Sequence, residues 1–420
     1  MKEELLHYVW RTKRFDSNNL TSTTGEPIDI IHTGTHNKNA GPDFFNAKIK
    51  IGETFWAGNV EMHLKSSDWL RHKHQDDKAY NNVILHVVIE EDQPILTSGT
   101  CRIPCLELKN RIEPSLVKTY RKLLRNKLWI PCQTLIPLVD SSTKSLWIEN
   151  LLIERIMAKT ERINEVLEQN LIDWDDTFYQ LLTRNFGLKV NADPFEAVAR
   201  SLPLRILLKH KNSVFQIEAL LFGQAGFLQG DFADDHPKKL KKEYSFLKRK
   251  YRLQPIKKEN WKFSRLRPAN FPTIRIAQLA TLIYCSDNLF GKVLAAANVR
   301  ELENMFEVKL SNYWQSHYQF DKPSGKKQKP LGKNTIHLFI INTIVPFLFL
   351  YGERKAEEKY KEKALEHLRQ LKPEKNGLIR KWEQLGMHSD SAAQTQGLLQ
   401  LKEHYCDQFT CLDCAIGHQM

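Results

Sequence analysis

The sequence predicts an α+β protein with a mixed N-terminal part and an almost wholly helical remainder. Three observations carry this reading. From Met1 to about Cys105, apolar residues recur first at helical spacing, then at alternate positions, then in a continuous β-branched run. Turn-rich stretches at Ser17–Glu26, Gly34–Gly41 and Gly52-Glu53 separate these segments. From about Ser142 onward the helical period dominates. The division expected is residues 1–110 and 111–420.

The first helix is expected from Lys2 to about Phe15, where Leu5, Leu6, Val9 and Trp10 form one apolar face. Ile28–His32 reads as a short strand. Phe44–Ile51 alternates, with Phe45, Ala47, Ile49 and Ile51 on one side, as a half-buried strand does. Gly52-Glu53 turns the chain into a further strand, Thr54–Lys65. Ser66–Asn82 is expected to be helical, with Ser66 or Ser67 as N-cap. Val83–Ile89 is apolar throughout, the mark of a strand covered on both faces. The order is αβββαβ, and Thr97–Leu108 is expected to add a strand or a covering arm. Helices follow at Leu146–Gln169, Trp174–Asn185, Pro194–Ser201, Leu204–Lys209, Val214–Phe222, His236–Tyr251, Ile274–Ser286, Val293–Glu307, Ile336–Tyr351, Ala356–Leu371 and Ser391–Glu403.

A chain of 420 residues with 41% hydrophobic and 26% charged residues has the balance of a globular protein. Its formal charge of +13 favours polyanionic partners, nucleic acid foremost. Lys238–Arg252 concentrates that charge and interleaves Tyr244, Phe246 and Tyr251. Asp321–Lys333, rich in Gly, Pro and Lys, reads as a mobile loop. Met1–Trp10 lacks the apolar core of a secretory signal. Ile336–Leu350 is short for a membrane span. Seven cysteines without even spacing fit a reducing compartment, so a cytoplasmic protein is expected, with no membrane partner.

Chemistry is concentrated where the strands meet. Pro42-Asp43 opens one strand, and after 17 intervening residues Glu61-Met62-His63 lies on the next. Two adjacent strands can bring Asp43 and Glu61 to one Mg²⁺ or Mn²⁺ ion, which such carboxylates suit. Glu61, His63 and Lys65 share a face by strand alternation. Phosphodiester hydrolysis asks for such a cation, an activated water and charge at the phosphate.

With its αβββαβ order, this stretch resembles the PD-(D/E)XK superfamily of restriction endonucleases and repair nucleases. The resemblance covers about the first 90 residues and implies a restriction-endonuclease-like core that hydrolyses DNA. It implies Asp43 and Glu61 as metal ligands and an acid on the first helix, Glu4 with Glu3 as the alternative. The family's Lys is replaced by His63, which can act as a base; Lys65 is a second candidate for that role. The alternative is a degenerate nuclease fold that binds nucleic acid or a protein without cutting. A third reading is a metal-stapled scaffold with no nucleic-acid role. The runs His32–Phe44 and Trp69–His74 also resemble a widespread bacterial family of unknown function, which implies no activity.

Other histidines crowd this region. His72 and His74 stand two apart on an expected helix, so they do not face each other there, which argues against a zinc pair unless the segment is a loop. His86, in an apolar strand, reads as a hydrogen-bonded core residue. His36 and Asn37 either bind phosphate or stabilise their loop. At the C-terminus, Cys406, Cys411 and Cys414 form a C-x₄-C-x₂-C run. With His418 or His404 they can complete a zinc site; with Cys132, or with Cys101 or Cys105, an iron–sulfur site. Several nucleases of the resembled superfamily are similar in stapling the domain with C-terminal cysteines and one distant cysteine. No P-loop, G-x-S-x-G or H-E-x-x-H motif is present.

Overall fold

The structure is a computed structural model and describes residues 2–37, 40–96, 101–125 and 128–419. The chain divides into two compact units. One joins Met1–Trp147 to Leu401–Met420; the other is Ile148–Gln400. The division expected at residue 110 is corrected by this. The C-terminal twenty residues return to the N-terminal unit through contacts no local pattern announces.

The first unit is built on a mixed six-stranded sheet. Helix α1 (Glu3–Arg11) precedes strands β1 (Ile28–His32), β2 (Thr35–His36), β3 (Phe44–Ile51) and β4 (Thr54–Lys65). Helix α2 (Asp68–Arg71), β5 (Val83–Glu90), β6 (Cys105–Glu107) and α3 (Pro114–Arg125) follow. The sheet runs β1-β3-β4-β5-β6, with β2 pairing the start of β3. Pairs up to β3–β4 are antiparallel; β4–β5 and β5–β6 are parallel. The parallel register sets Glu61 opposite His86.

Strand alternation then sorts the side chains. Leu5, Leu6, Val9 and Trp10 of α1 pack in one core with Ile49, Val60, Met62 and Val87. Each such buried side chain contributes about 1.5–3 kcal/mol. The Trp10 indole donates to the Thr33 carbonyl at 3.0 Å, tying the helix to the loop before Asp43. Gly34 in that loop has φ +93°, and a Cβ there would stand 2.8 Å from the Phe45 carbonyl oxygen. Only glycine fits without a shift.

The expected helix Ser66–Asn82 is corrected. Only Asp68–Arg71 is α-helical, followed by short 3₁₀ turns at His74–Asp76 and Lys78–Tyr80. Lys73 takes a left-handed φ of +61°, which ends the helix. Beyond Leu70 the segment has no apolar stripe to hold a longer helix against the sheet.

The second unit is helical around its own core. The expected helix Val293–Glu307 is two, Leu289–Ala295 and Val299–Met305. Helical structure is continuous over Lys333–Lys355, with a π turn at Ile340–Ile344. Among the described residues this is one helix long and apolar enough to cross a membrane, and 72% of its apolar window is buried in the fold. The stretch expected to be a mobile loop is pinned: the buried Lys329 ammonium donates to the carbonyls of Trp314, Gln315 and His317. Helix Asp235–Tyr251 buries Pro237, Leu240, Tyr244 and Leu247 and turns Lys238, Lys239, Lys242, Lys248, Arg249 and Lys250 to solvent.

Candidate metal centre

Asp43 and Glu61 are locked together across β3 and β4. The Asp43 backbone N–H donates to Glu61 Oε2 at 3.1 Å, and the Met62 N–H donates to Asp43 Oδ2 at 3.0 Å. These reciprocal bonds fix both carboxylates at the irregular end of the ladder, where register slips between Phe44 and Ala47.

Two imidazoles, His63 and His74, stand beside Glu61, and a third, His72, meets His63. His63 lies on the same face of β4. The left-handed turn at Lys73 swings His72 and His74 back toward it, so the expectation that they diverge is corrected. Their ligand atoms lie within 4.8 Å of one another. His63 Nε2 is 3.2 Å from His72 Nδ1. Glu61 Oε1 is 3.3 Å from His74 Nε2 and 3.6 Å from His63 Nε2. A tetrahedral ion with nitrogen and oxygen ligands separates them by about 3.4 Å, since its bonds are about 2.0–2.1 Å. The spacings among the three histidines therefore suit one ion, with Glu61 beside His63 and His74.

Around this group stands a supporting layer. His86 Nε2 is 2.9 Å from His63 Nδ1. With the proton on His63 Nδ1, that ring donates to His86 and leaves Nε2 free as a ligand. His74 stacks on Tyr80 with centroids 3.9 Å apart. On α1, His7 Nε2 stands 3.2 Å from Asp43 Oδ2, and its ring meets His36 edge-on.

Burial governs the charges. Glu61, 4% exposed, is pushed up to about 7 by burial, against the lowering effect of His74. Burial drives His63 down to about 2, helped by His86, His74 and His72, so its ring is neutral at any physiological pH. His86 falls to about 3 for the same reason. His7 rises: burial opposes its charged form, yet nearby Asp43 outweighs that. Burial also raises Glu3, which lies within reach of His72 and Asp43.

The other expected site residues are placed differently. Glu4 is exposed and its charge acts on Tyr120, so the helical acid facing the cluster is Glu3. Lys65, expected to assist His63, is exposed, with Nζ 4.0 Å from Asp92 Oδ2. The Asn37 amide donates to the Ala40 and Pro42 carbonyls and so braces its loop. His7 was missed, although its spacing of four from Glu3 puts both on one helix face.

The C-terminal cysteines gather elsewhere in the same unit. Cys132, Cys406, Cys411 and Cys414 are all buried and unbonded. Burial lifts Cys132 to about 12 and Cys411 to about 11, and neighbouring thiols add to it: Cys414 and Cys411 act on Cys132, and Cys132, Cys414 and Cys411 on Cys406. His418, expected as a fourth ligand, is corrected: its Nε2 bonds the Leu412 carbonyl at 2.6 Å and its ring lies against Tyr8. Of the other expected candidates, His404 and Cys101 are exposed, and Cys105 sits on β6 among Glu91, Arg102 and Glu107.

Among known proteins, the model of the family described as protein of unknown function (DUF2851) matches residues 3–377. The chain belongs to the DUF2851 family. No curated protein and no solved structure matches it. The DUF2851 match takes in Glu3, His7, Asp43, Glu61, all three histidines and Cys132, and ends before Cys406.

Proposed function

We propose that the N-terminal unit is a restriction-endonuclease-like, metal-dependent phosphodiesterase acting on nucleic acid, DNA before RNA. One observation carries this reading: three histidine nitrogens lie at the spacing of a single ion's ligands, and Glu61, fixed to Asp43 across two strands, stands beside two of them. The donors fit a borderline ion. Three imidazoles and a carboxylate suit Zn²⁺ or Mn²⁺ better than the Mg²⁺ that carboxylates alone imply. Such an ion lowers the pKa of a bound water and polarises a phosphoryl oxygen.

The chain's own groups supply the rest. His86 holds His63 in the orientation of a ligand. Asp43 holds His7 and raises its pKa, which suits that ring to donate a proton to a leaving oxygen. The basic face of helix Asp235–Tyr251 provides the polyanion contact that the net charge implies. Protein stripped of metal and reloaded with Zn²⁺, Mn²⁺ or Mg²⁺ is incubated with linear, circular and single-stranded DNA. Cleavage is expected with the first two ions and is abolished in Asp43→Asn and Glu61→Gln. Cleavage unchanged in both variants overturns the assignment. Salt-dependent DNA binding with no cleavage by any loaded form replaces it with a degenerate binding module.

A further inference from the structure

We infer that Arg162, Arg184 and Arg200 of the second unit form a binding site for a phosphate dianion, assembled on the buried carboxylate of Glu196. Three helices bring it together. Arg162 lies on Ser141–Gln169 and Arg184 on Trp174–Phe186; Glu196 and Arg200 stand one turn apart on Ala192–Ser201. Arg162 and Arg184 both donate to Glu196 Oε2, at 2.7 and 2.6 Å, and Arg200 donates to Oε1 at 2.7 Å. Glu196 is 6% exposed, so one acid gathers three guanidiniums with little water to screen them.

The charges of this group do not balance. One cation offsets a buried carboxylate, and each further cation held against it repels the first. Asp193 adds one acid: it accepts from Arg184 at 2.6 Å and is 88% exposed. Lys262 adds a cation that acts on Asp193. Its backbone N–H and carbonyl are both bonded by the Asn191 side chain, which sets it at the start of the helix that carries Asp193 and Glu196. The bonded group holds three guanidiniums and two carboxylates, and Lys262 beside it brings the excess to two positive charges. That matches the charge of a phosphate monoester near neutral pH.

Donors are left over as well. A guanidinium carries five N–H donors in a planar fork, which meets phosphate oxygens in pairs. Arg162 and Arg200 give Glu196 one bond each, and their side chains are 50% and 53% exposed. Glu196 thus holds two open forks in place, so a phosphate binds with little further ordering of either side chain. An ordinary surface pair differs: Arg354 is a single cation shared between Glu168 and Asn164. The site lies wholly within Ile148–Gln400. This inference does not rest on the hydrolytic reading, and its readout is independent of cleavage.

The test is calorimetric titration of inorganic phosphate into the full chain at low ionic strength, stripped of metal so that the histidine centre contributes nothing. Saturable binding is expected, weakened about tenfold or more in Arg162→Ala and in Arg200→Ala and unchanged in Arg354→Ala. Arg162→Lys, which keeps the charge and loses the fork, is expected to bind more weakly than the wild type. A short oligonucleotide with and without a 5′-phosphate identifies the source. A gain on phosphorylation that Arg200→Ala removes places the phosphate on a strand end; equal binding of the two leaves free phosphate. Should the alanine variants not fold, phenylglyoxal labelling of the wild type replaces them: phosphate is expected to shield Arg162 and Arg200 but not Arg354. A wild-type chain that takes up no phosphate overturns the inference. So does binding unchanged in both alanine variants, or labelling of Arg162 and Arg200 unaltered by phosphate.

Discussion

His86 offers the sharpest probe of the histidine centre, because it touches the proposed ion only through His63. His86→Phe keeps a flat ring of similar size and removes the acceptor 2.9 Å from His63 Nδ1. His63 is 1% exposed, so no water replaces the lost partner. An unpaired buried donor costs about 1–3 kcal/mol, which lowers the melting temperature of the metal-free protein. Loss of an orienting partner weakens metal binding about 10–100-fold. At Mn²⁺ a hundred times above the wild-type Kd, binding stabilises the wild type by about 2.7 kcal/mol. A variant hundredfold weaker retains about 0.4 kcal/mol at the same concentration. Calorimetric melts with and without Mn²⁺ read both effects, and Mn²⁺ is disfavoured by the thiol site. A metal-induced rise in Tm as large in His86→Phe as in the wild type refutes the reasoning, whatever happens to the metal-free protein.

Further outcomes follow from the same geometry. Without metal, His63 and His86 hold folded pKa values far below 6.5, so they favour the folded state above pH 6.5 and lose that advantage as pH falls. Glu61, raised from 4.5 to about 7, has the opposite sign. Between about pH 4.5 and 6.5 the unfolded chain binds two protons on the histidines and the folded chain one on Glu61. Through these three groups stability falls by about 1.4 kcal/mol per unit as pH is lowered; denaturant melts across that range check it, and His86→Phe is expected to flatten the slope. Gly34→Ala, strained at φ +93° with Phe45 in the way, is expected to cost about 1–3 kcal/mol in the same melts. Lys65→Ala changes stability by less than about 0.5 kcal/mol and leaves metal-dependent cleavage intact. Glu3→Gln is expected to alter Mn²⁺ affinity in calorimetric titration, whereas Glu4→Gln is not.

The strands were legible because turns bound them and apolar residues mark their buried parts; period two agrees with burial from Ala47 on in β3, whereas β4 and β5 bury continuous runs and the slip at the start of β3 buries Phe44 in place of Phe45. β1, β3 and β4 begin and end where alternation and turns place them, and β5 where the apolar run does. Asp43 and Glu61 were visible for the same reason, since strand ends fix where their side chains stand. The meeting of His72 and His74 with His63 was not. It depends on one left-handed residue, Lys73, a type that gives no warning of that conformation. The polar composition after Leu70 is the signal that argues against a long helix there. β2, at two residues, is too short for any period, whereas β6 lies within Thr97–Leu108, where a strand or covering arm is expected. The return of Leu401–Met420 to the first unit rests on Arg11, Arg14 and the cysteines, partners hundreds of residues apart in sequence.

The most direct test of the histidine centre is the anomalous scattering map of crystals grown with Mn²⁺. The account predicts one strong peak among His63 Nε2, His72 Nδ1, His74 Nε2 and Glu61 Oε1, lost in crystals of His74→Ala. A map with no peak there, or a peak unchanged in that variant, contradicts the claim that these residues hold the ion.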